Sequence, residues 1–213
     1  YLRDPARGYG AAMHRLLPLL ARGDSWQNET SQLFGGQGSF GNGAAMRVAP
    51  LGAYFADDLD ACIDNARRSA EVTHAHPEGV AGAIAVALGA AWAWRSQTQA
   101  INGCDFLSRV LEDVPESEVR QGLERARDLM DEDAPPEDAA EILGSGQNVT
   151  AQDTVPFVLW SAGSYLENYE EALWQTVAGL GDRDTTCAMV GGIVALSGNT
   201  PIPSKWLSRR EAL

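Results

Sequence analysis

Two short stretches carry the groups best suited to chemistry. The first, Gly35-Gly-Gln-Gly-Ser-Phe-Gly-Asn-Gly-Ala-Ala-Met-Arg47, places five glycines in nine positions around Ser39, Phe40 and Asn42 and runs into Ala44-Ala-Met-Arg47. Glycine admits positive φ and lets a ligand reach the main chain without meeting a Cβ. The peptide N–H groups of such a loop, ahead of a helix N-terminus, form a cradle for phosphate. The alternative is a flexible linker. That suits Gly35-Gly36 better than the 38–43 core, because linkers of this composition rarely lead straight into a helix.

The second stretch is Gly181-Asp-Arg-Asp-Thr-Thr186, where a loop becomes a helix. Asp182, Asp184 and Thr185 offer hard oxygen donors suited to Mg²⁺ or Mn²⁺ rather than to zinc. The alternative is helix capping, since Asp and Thr are favoured N-caps and carboxylates are stabilised at that end of the dipole. A third candidate is Thr73-His74-Ala-His76-Pro77. Two imidazoles at i and i+2 do not share a helix face, so a paired metal site is not expected. Either can donate a hydrogen bond to a phosphate oxygen, or serve as a cap or packing residue.

The elements that must position these groups are helical. Apolar spacing predicts helices over 5–22 with Pro18 as a kink, over 44–55 broken by Pro50, and over 59–74 capped by Asp57 or Asp58. Residues 23–43 read as a long loop, and loops of that length are more often functional than idle. Residues 79–94 are sixteen without a charge, dense in Gly and Ala. That is short for a membrane span and reads as a helix buried within a bundle. Further helices are expected at 103–112, 116–131, 136–143, 153–162, 168–179, 184–197 and near Trp206, with a glycine-rich break at 144–148. No repeat and no clean linker appears, so the expectation is an all-α bundle forming a single domain over 1–213.

Charge limits the partners. The formal net charge is −13, and residues 112–141 hold twelve Asp/Glu against three Arg. With no basic stripe, binding of DNA or RNA through phosphate neutralisation is not expected. An anionic small molecule remains compatible, if local N–H groups and a metal offset the repulsion. Cys62, Cys104 and Cys187 are far apart and in no metal-binding spacing. They read as thiols of a reducing compartment, hence a cytoplasmic protein.

Three motifs together resemble one family. Gly38-Ser-Phe-Gly-Asn-Gly-Ala-Ala-Met-Arg-Val48, Val72-Thr-His74 with the Gly82-Ala-Ile84 helix, and Gly181-Asp-Arg-Asp-Thr185 span about 150 residues. In this order they resemble the ADP-ribosylglycohydrolase family, which includes the dinitrogenase-reductase-activating glycohydrolase and the ADP-ribosylarginine and ADP-ribosylserine hydrolases. The resemblance implies an all-α bundle that holds two Mg²⁺ ions in a central cleft. It implies hydrolysis of the glycosidic bond at the distal ribose of ADP-ribose, releasing a modified protein side chain or another acceptor. By the same resemblance, Asp182 and Asp184 are catalytic, and with Thr185 they form half of the metal site. Gly38, Ser39, Phe40, Gly41 and Asn42 form the diphosphate loop. Phe34 and Phe40 flank the adenine, His74 contacts the diphosphate, and the protein is a monomer.

Members of that family also carry a Thr/Ser-Asp-Asp metal motif and a general acid/base carboxylate in an N-terminal segment. Nothing of the kind stands before Gly35, and Asp57-Asp58 reads as a helix cap. The chain opens on Tyr1-Leu-Arg-Asp-Pro5. The expectation is therefore roughly the C-terminal two thirds of the family domain, without its N-terminal helices. The alternative is a catalytically inactive, ADP-ribose-binding or structural relative.

Overall fold

The computed structural model describes residues 3–6, 8–132, 134–198 and 201–210. Among these residues every regular element is helical, and a single isolated antiparallel bridge joins Gly41 to Thr150. The chain begins with α1 (Ala11–Ala21), α2 (Trp26–Ser31) and the one-turn α3 (Leu33–Gly36). A 3-10 turn (Ala45–Arg47) then leads into α4 (Ala49–Tyr54), α5 (Leu59–Glu71) and α6 (Pro77–Arg95). The acidic stretch folds as the end of α7 (Gly103–Asp113), α8 (Glu118–Asp131) and α9 (Pro136–Leu143). Last come α10 (Ala151–Ser164), α11 (Tyr169–Ala178), α12 (Arg183–Val194) and the short α13 (Ser204–Leu207).

α6 is the axis of the bundle. A helix apolar on every side is satisfied only when neighbours surround it. Every residue from Gly79 to Ala93 is buried, and α4, α5, α7, α10 and α12 pack around it. Small residues set how near those neighbours come. A Cβ on Gly82 would lie 2.9 Å from the Ala151 Cβ, and one on Gly89 would lie 2.6 Å from Leu159 Cδ2. A Cβ on Gly52 would strike the Ala87 carbonyl. Phe106, Leu107, Leu123, Phe157 and Ile193 fill the remaining space, each 0% exposed.

Several helix starts follow the predicted logic. The Asp58 carboxylate accepts from Ala61 N–H at 3.0 Å and begins α5. Pro77 opens α6 behind His76, whose Nδ1 accepts from Glu78 N–H at 3.1 Å. Others differ from expectation. α1 begins at Ala11 rather than at Pro5, because Gly8 and Gly10 interrupt the approach and Gly8 has φ +72°. Arg7, within the predicted helix, and Tyr1 and Leu2 of the opening lie outside the described residues.

The expected 23–43 loop contains α2 and α3, although Phe34 and Gly35 inside α3 have left-handed backbone. Pro50 does not break a helix. It sits in the first turn of α4, where a missing N–H costs nothing. α10 begins two residues early, because Thr150 rather than Asp153 caps it, its Oγ1 accepting from Asp153 N–H at 3.3 Å. α12 ends at Val194, short of the expected Ser197. None of the described helices is long and apolar enough to cross a membrane.

Candidate ligand cavity and oxygen-donor turn

The glycine segment is a fixed structure, which separates it from a linker. Asn42 N–H donates to Val149 O at 3.1 Å, and Ala151 N–H donates to Phe40 O at 2.9 Å. Those bonds anchor 40–42 against the approach to α10. Ser39 and Asn42 are buried, at 8% and 2% exposure. Ser39 Oγ accepts from Gly41 N–H at 3.2 Å, while Asn42 Nδ2 donates to Thr154 Oγ1 at 3.1 Å inside the bundle. The Asn42 carbonyl accepts from Met46 N–H at 3.1 Å, so the loop passes into the 3-10 turn.

Two glycines are there for close approach. Gly38 has φ +78°, and a Cβ on it would stand 2.6 Å from the His76 nitrogen. A Cβ on Gly79, at the start of α6, would lie 2.8 Å from the Ser39 carbonyl oxygen. The loop therefore rests directly on the turn that carries His74 and His76.

A cavity of about 590 Å³ opens beside this loop. Phe34, Ser39, Phe40, Gly41, Asn42 and His74 all line it, six residues that sequence reasoning placed in one site. Gly38 does not line it and lies behind the loop. Phe34 is 58% exposed at the rim, its ring 6.3 Å from that of Phe40, and Phe40 meets His76 edge to face at 5.3 Å. Arg47, Thr73, Asn148 and Val149 line the cavity too, and none had been assigned to it. Arg47 stood within the glycine motif but was given no role of its own. Asn148 and Val149 belonged to a break whose pairing with Gly41 is non-local.

His74 is the electrostatic centre of this wall. Its Nδ1 lies 2.7 Å from Thr73 Oγ1. Burial, and then the neighbouring Arg47 cation, hold its pKa down at about 4. The ring is consequently neutral at physiological pH. Arg47 is the only Lys or Arg among the described residues of the lining.

Asp182, Asp184 and Thr185 stand outside the cavity lining, on the far side of the 144–149 turn. That turn shows Asn148 and Val149 to the cavity, while a Cβ on Gly146 would lie 3.0 Å from the Asp182 Cβ. Asp182 N–H donates to Ser145 O at 3.0 Å, which locks the two turns together. Asp182 occupies the N-cap position of α12, yet its side chain makes no capping bond. Neither the Asp182 nor the Asp184 carboxylate has a hydrogen-bond or ion-pair partner among the described residues. Thr185 is buried, at 6% exposure. No group of three or more His, Cys, Asp or Glu among the described residues is placed to hold a metal. Two unused carboxylates and a hydroxyl fit a hard cation by donor chemistry, as part of a ligand set.

Comparison with known proteins finds relatives along nearly the whole chain. The chain is 30% identical over 238 residues to ADP-ribosylhydrolase ARH3 of Xenopus tropicalis, an alignment covering 97% of the chain and 66% of that relative. It is 31% identical over 218 residues to an uncharacterized protein of Archaeoglobus fulgidus (97% and 63% covered), and 29% identical over 237 residues to ADP-ribosylhydrolase ARH3 of Homo sapiens (97% and 64% covered). The chain thus spans just under two thirds of the length of these relatives. The model of the ADP-ribosylglycohydrolase family matches residues 1–212, so this chain, with its glycine loop, His74 turn and Asp182–Asp184 turn, belongs to the ADP-ribosylglycohydrolase family.

Proposed function

We propose that the chain binds ADP-ribose in the Ser39–His74 cavity and is part of a hydrolase that cleaves the glycosidic bond between ADP-ribose and a protein side chain or another acceptor. The observation that carries this is the convergence of the glycine loop, neutral His74 and the Phe34/Phe40 pair on one cavity of about 590 Å³. That volume lies within the range of about 300–1,000 Å³ usual for small-molecule sites. The names of the relatives support the choice of ligand.

The two ends of ADP-ribose need different surroundings. Loop N–H groups, Ser39 and His74 suit the diphosphate, where each charge-assisted hydrogen bond contributes about 1.5–3 kcal/mol. Aromatic faces at Phe34 and Phe40 suit adenine, each stacking contact being worth about 1–3 kcal/mol. Asn42, fixed on Thr154, holds the loop against α10. This reading puts the distal ribose at the Asn148–Val149 end of the cavity, beside the turn that packs on Asp182. There Asp182, Asp184 and Thr185 would hold Mg²⁺ (Mn²⁺ being the other candidate), in the family's arrangement one side of a two-ion site. When bound, such ions supply positive charge that binds sugar hydroxyls and favours attack by water at the anomeric carbon. The carboxylates are free for this role because α12 does not use them as caps. A monomeric, cytoplasmic protein with one domain over 1–213 belongs to the same reading.

The second reading, an ADP-ribose binder without turnover, is favoured by one observation. Among the described residues the Asp182 turn brings only two carboxylates and a hydroxyl to a metal. Calorimetric titration of ADP-ribose with and without Mg²⁺, followed by release assays on ADP-ribosylated arginine and serine peptides, separates the two. Saturable binding with Mg²⁺-dependent release supports the hydrolase. Binding that ignores Mg²⁺, without release, selects the second reading. No binding at about 1 mM ADP-ribose overturns both.

A further inference from the structure

Arg47, Thr73 and His74 form a file of hydrogen bonds that ends in the cavity. Arg47 Nη2 donates to Thr73 Oγ1 at 2.8 Å, and the same oxygen lies 2.7 Å from His74 Nδ1. The guanidinium is itself fixed, Nη2 donating to Ser69 O at 2.5 Å and Nη1 to Gly43 O at 3.3 Å. A guanidinium only donates, so one lone pair of the Thr73 hydroxyl is committed as acceptor. If the Thr73 proton goes to Nδ1, every group in the file has a partner. The opposite assignment makes Thr73 accept twice and leaves its proton without an acceptor in the file. A neutral imidazole that accepts at Nδ1 carries its proton on Nε2. Nε2 faces the glycine loop, 3.0 Å from where a Gly43 Cβ would stand and 3.4 Å from that of Gly41.

We propose that Arg47 and Thr73 are positioning residues that lock His74 as the neutral Nε2–H tautomer, a fixed hydrogen-bond donor for an anionic oxygen of the cavity's ligand. The inference rests on the reading of the cavity as an ADP-ribose site. The other groups of the turn do not compete. His76 accepts from Glu78 N–H and packs on Phe40. The Glu78 carboxylate is turned to α8, accepting from Glu118 and Val119 N–H at 2.8 and 3.0 Å. The low pKa of His74, about 4, agrees with a ring that donates without charging. Grip on an anion is then constant across neutral pH, whereas a site built on imidazolium weakens as pH rises through about 6.5.

Two-bond nitrogen–proton correlation spectra of the chain labelled at histidine read the tautomer directly, and calorimetry with ADP-ribose reads its consequence. The wild type is expected in the Nε2–H form, uncharged from about pH 8 to about pH 5. Thr73→Val keeps the volume but removes the hydroxyl. It should admit the Nδ1–H form and weaken ADP-ribose binding about tenfold, while Thr73→Ser restores both. An Nδ1–H ring in the wild type, or an unchanged tautomer in Thr73→Val, overturns the proposal. A tautomer that switches as described in a chain that binds no ADP-ribose supports the file of hydrogen bonds and overturns the reading of the ligand instead.

Discussion

The two halves of the site are finished to different degrees. On the glycine-loop side the side chains are already engaged: Asn42 on Thr154, Thr73 between Arg47 and His74, Ser39 on Gly41 N–H. On the Asp182 side the backbone is locked to Ser145, but the carboxylates have no hydrogen-bond or ion-pair partner among the described residues. A group already bonded within the protein is oriented before a ligand arrives, so little ordering entropy is lost on binding. The Asp182 and Asp184 carboxylates, half-buried and exposed, are left to solvent and, in the function proposed above, to a cation. Under that proposal one side holds and the other recruits.

The most severe test of that contrast is Asp184→Ala in the complete protein. It should abolish Mg²⁺-dependent release of ADP-ribose while moving the melting temperature by less than about 2 °C, as calorimetry would show. Retained turnover at ordinary Mg²⁺ would break the comparison on the recruiting side.

The holding side should fail by losing its fold. Gly38→Ala puts a Cβ into a left-handed position and against the His76 nitrogen, at an expected cost of about 2–4 kcal/mol in urea unfolding.

Acid should act on the same side. His74 takes up a proton near 6.5 when unfolded and at about 4 when folded, so between those values the unfolded chain binds more protons. The contribution of His74 is complete above pH 6.5 and drains away as pH falls toward 4, by up to about 3 kcal/mol at 1.36 kcal/mol per pH unit. His74→Gln should flatten that part of the stability profile, and an unchanged slope would remove His74 as its source.

The smallest effect sharpens the comparison most. Asp58 and Asp182 stand at the same N-cap position of their helices, but only Asp58 makes the capping bond. Asp58→Ala should cost about 1 kcal/mol in denaturant melts, and Asp182→Ala less than about 0.5. Equal losses would mean that Asp182 caps α12 in solution.

What could be seen in the sequence divides along physical lines. α5, α6 and α8 were visible because a local cap or Pro start coincides with their apolar spacing, or with apolar residues throughout in α6. Of the six cavity residues, Ser39, Phe40, Gly41 and Asn42 were visible as one glycine-rich run and His74 as a donor for phosphate, whereas Phe34 was named only through the family resemblance. Asn148 and Val149 were not, because their place depends on a two-residue bridge between segments over a hundred positions apart. Thr150 was passed over for Asp153 as the start of α10, although Asp153 turns its carboxylate back to Asn148 N–H at 2.7 Å. The role of Arg47 was not visible because two of its three partners, Ser69 and Thr73, lie beyond α4.

Glu78 gives the site a mechanical dimension. Its carboxylate clasps the first turn of α8, while its own N–H is held by His76. The His74 turn is thereby fastened to the acidic hairpin of α7 and α8, none of whose described residues lines the cavity. Opening of that hairpin should release the His74 turn with it as one cooperative unit. In native-state hydrogen exchange, the amides of Asn42 and Val119 should then share an opening free energy, and Glu78→Gln should lower both together. Through this clasp, a change on the acidic surface would reach the turn that carries His74.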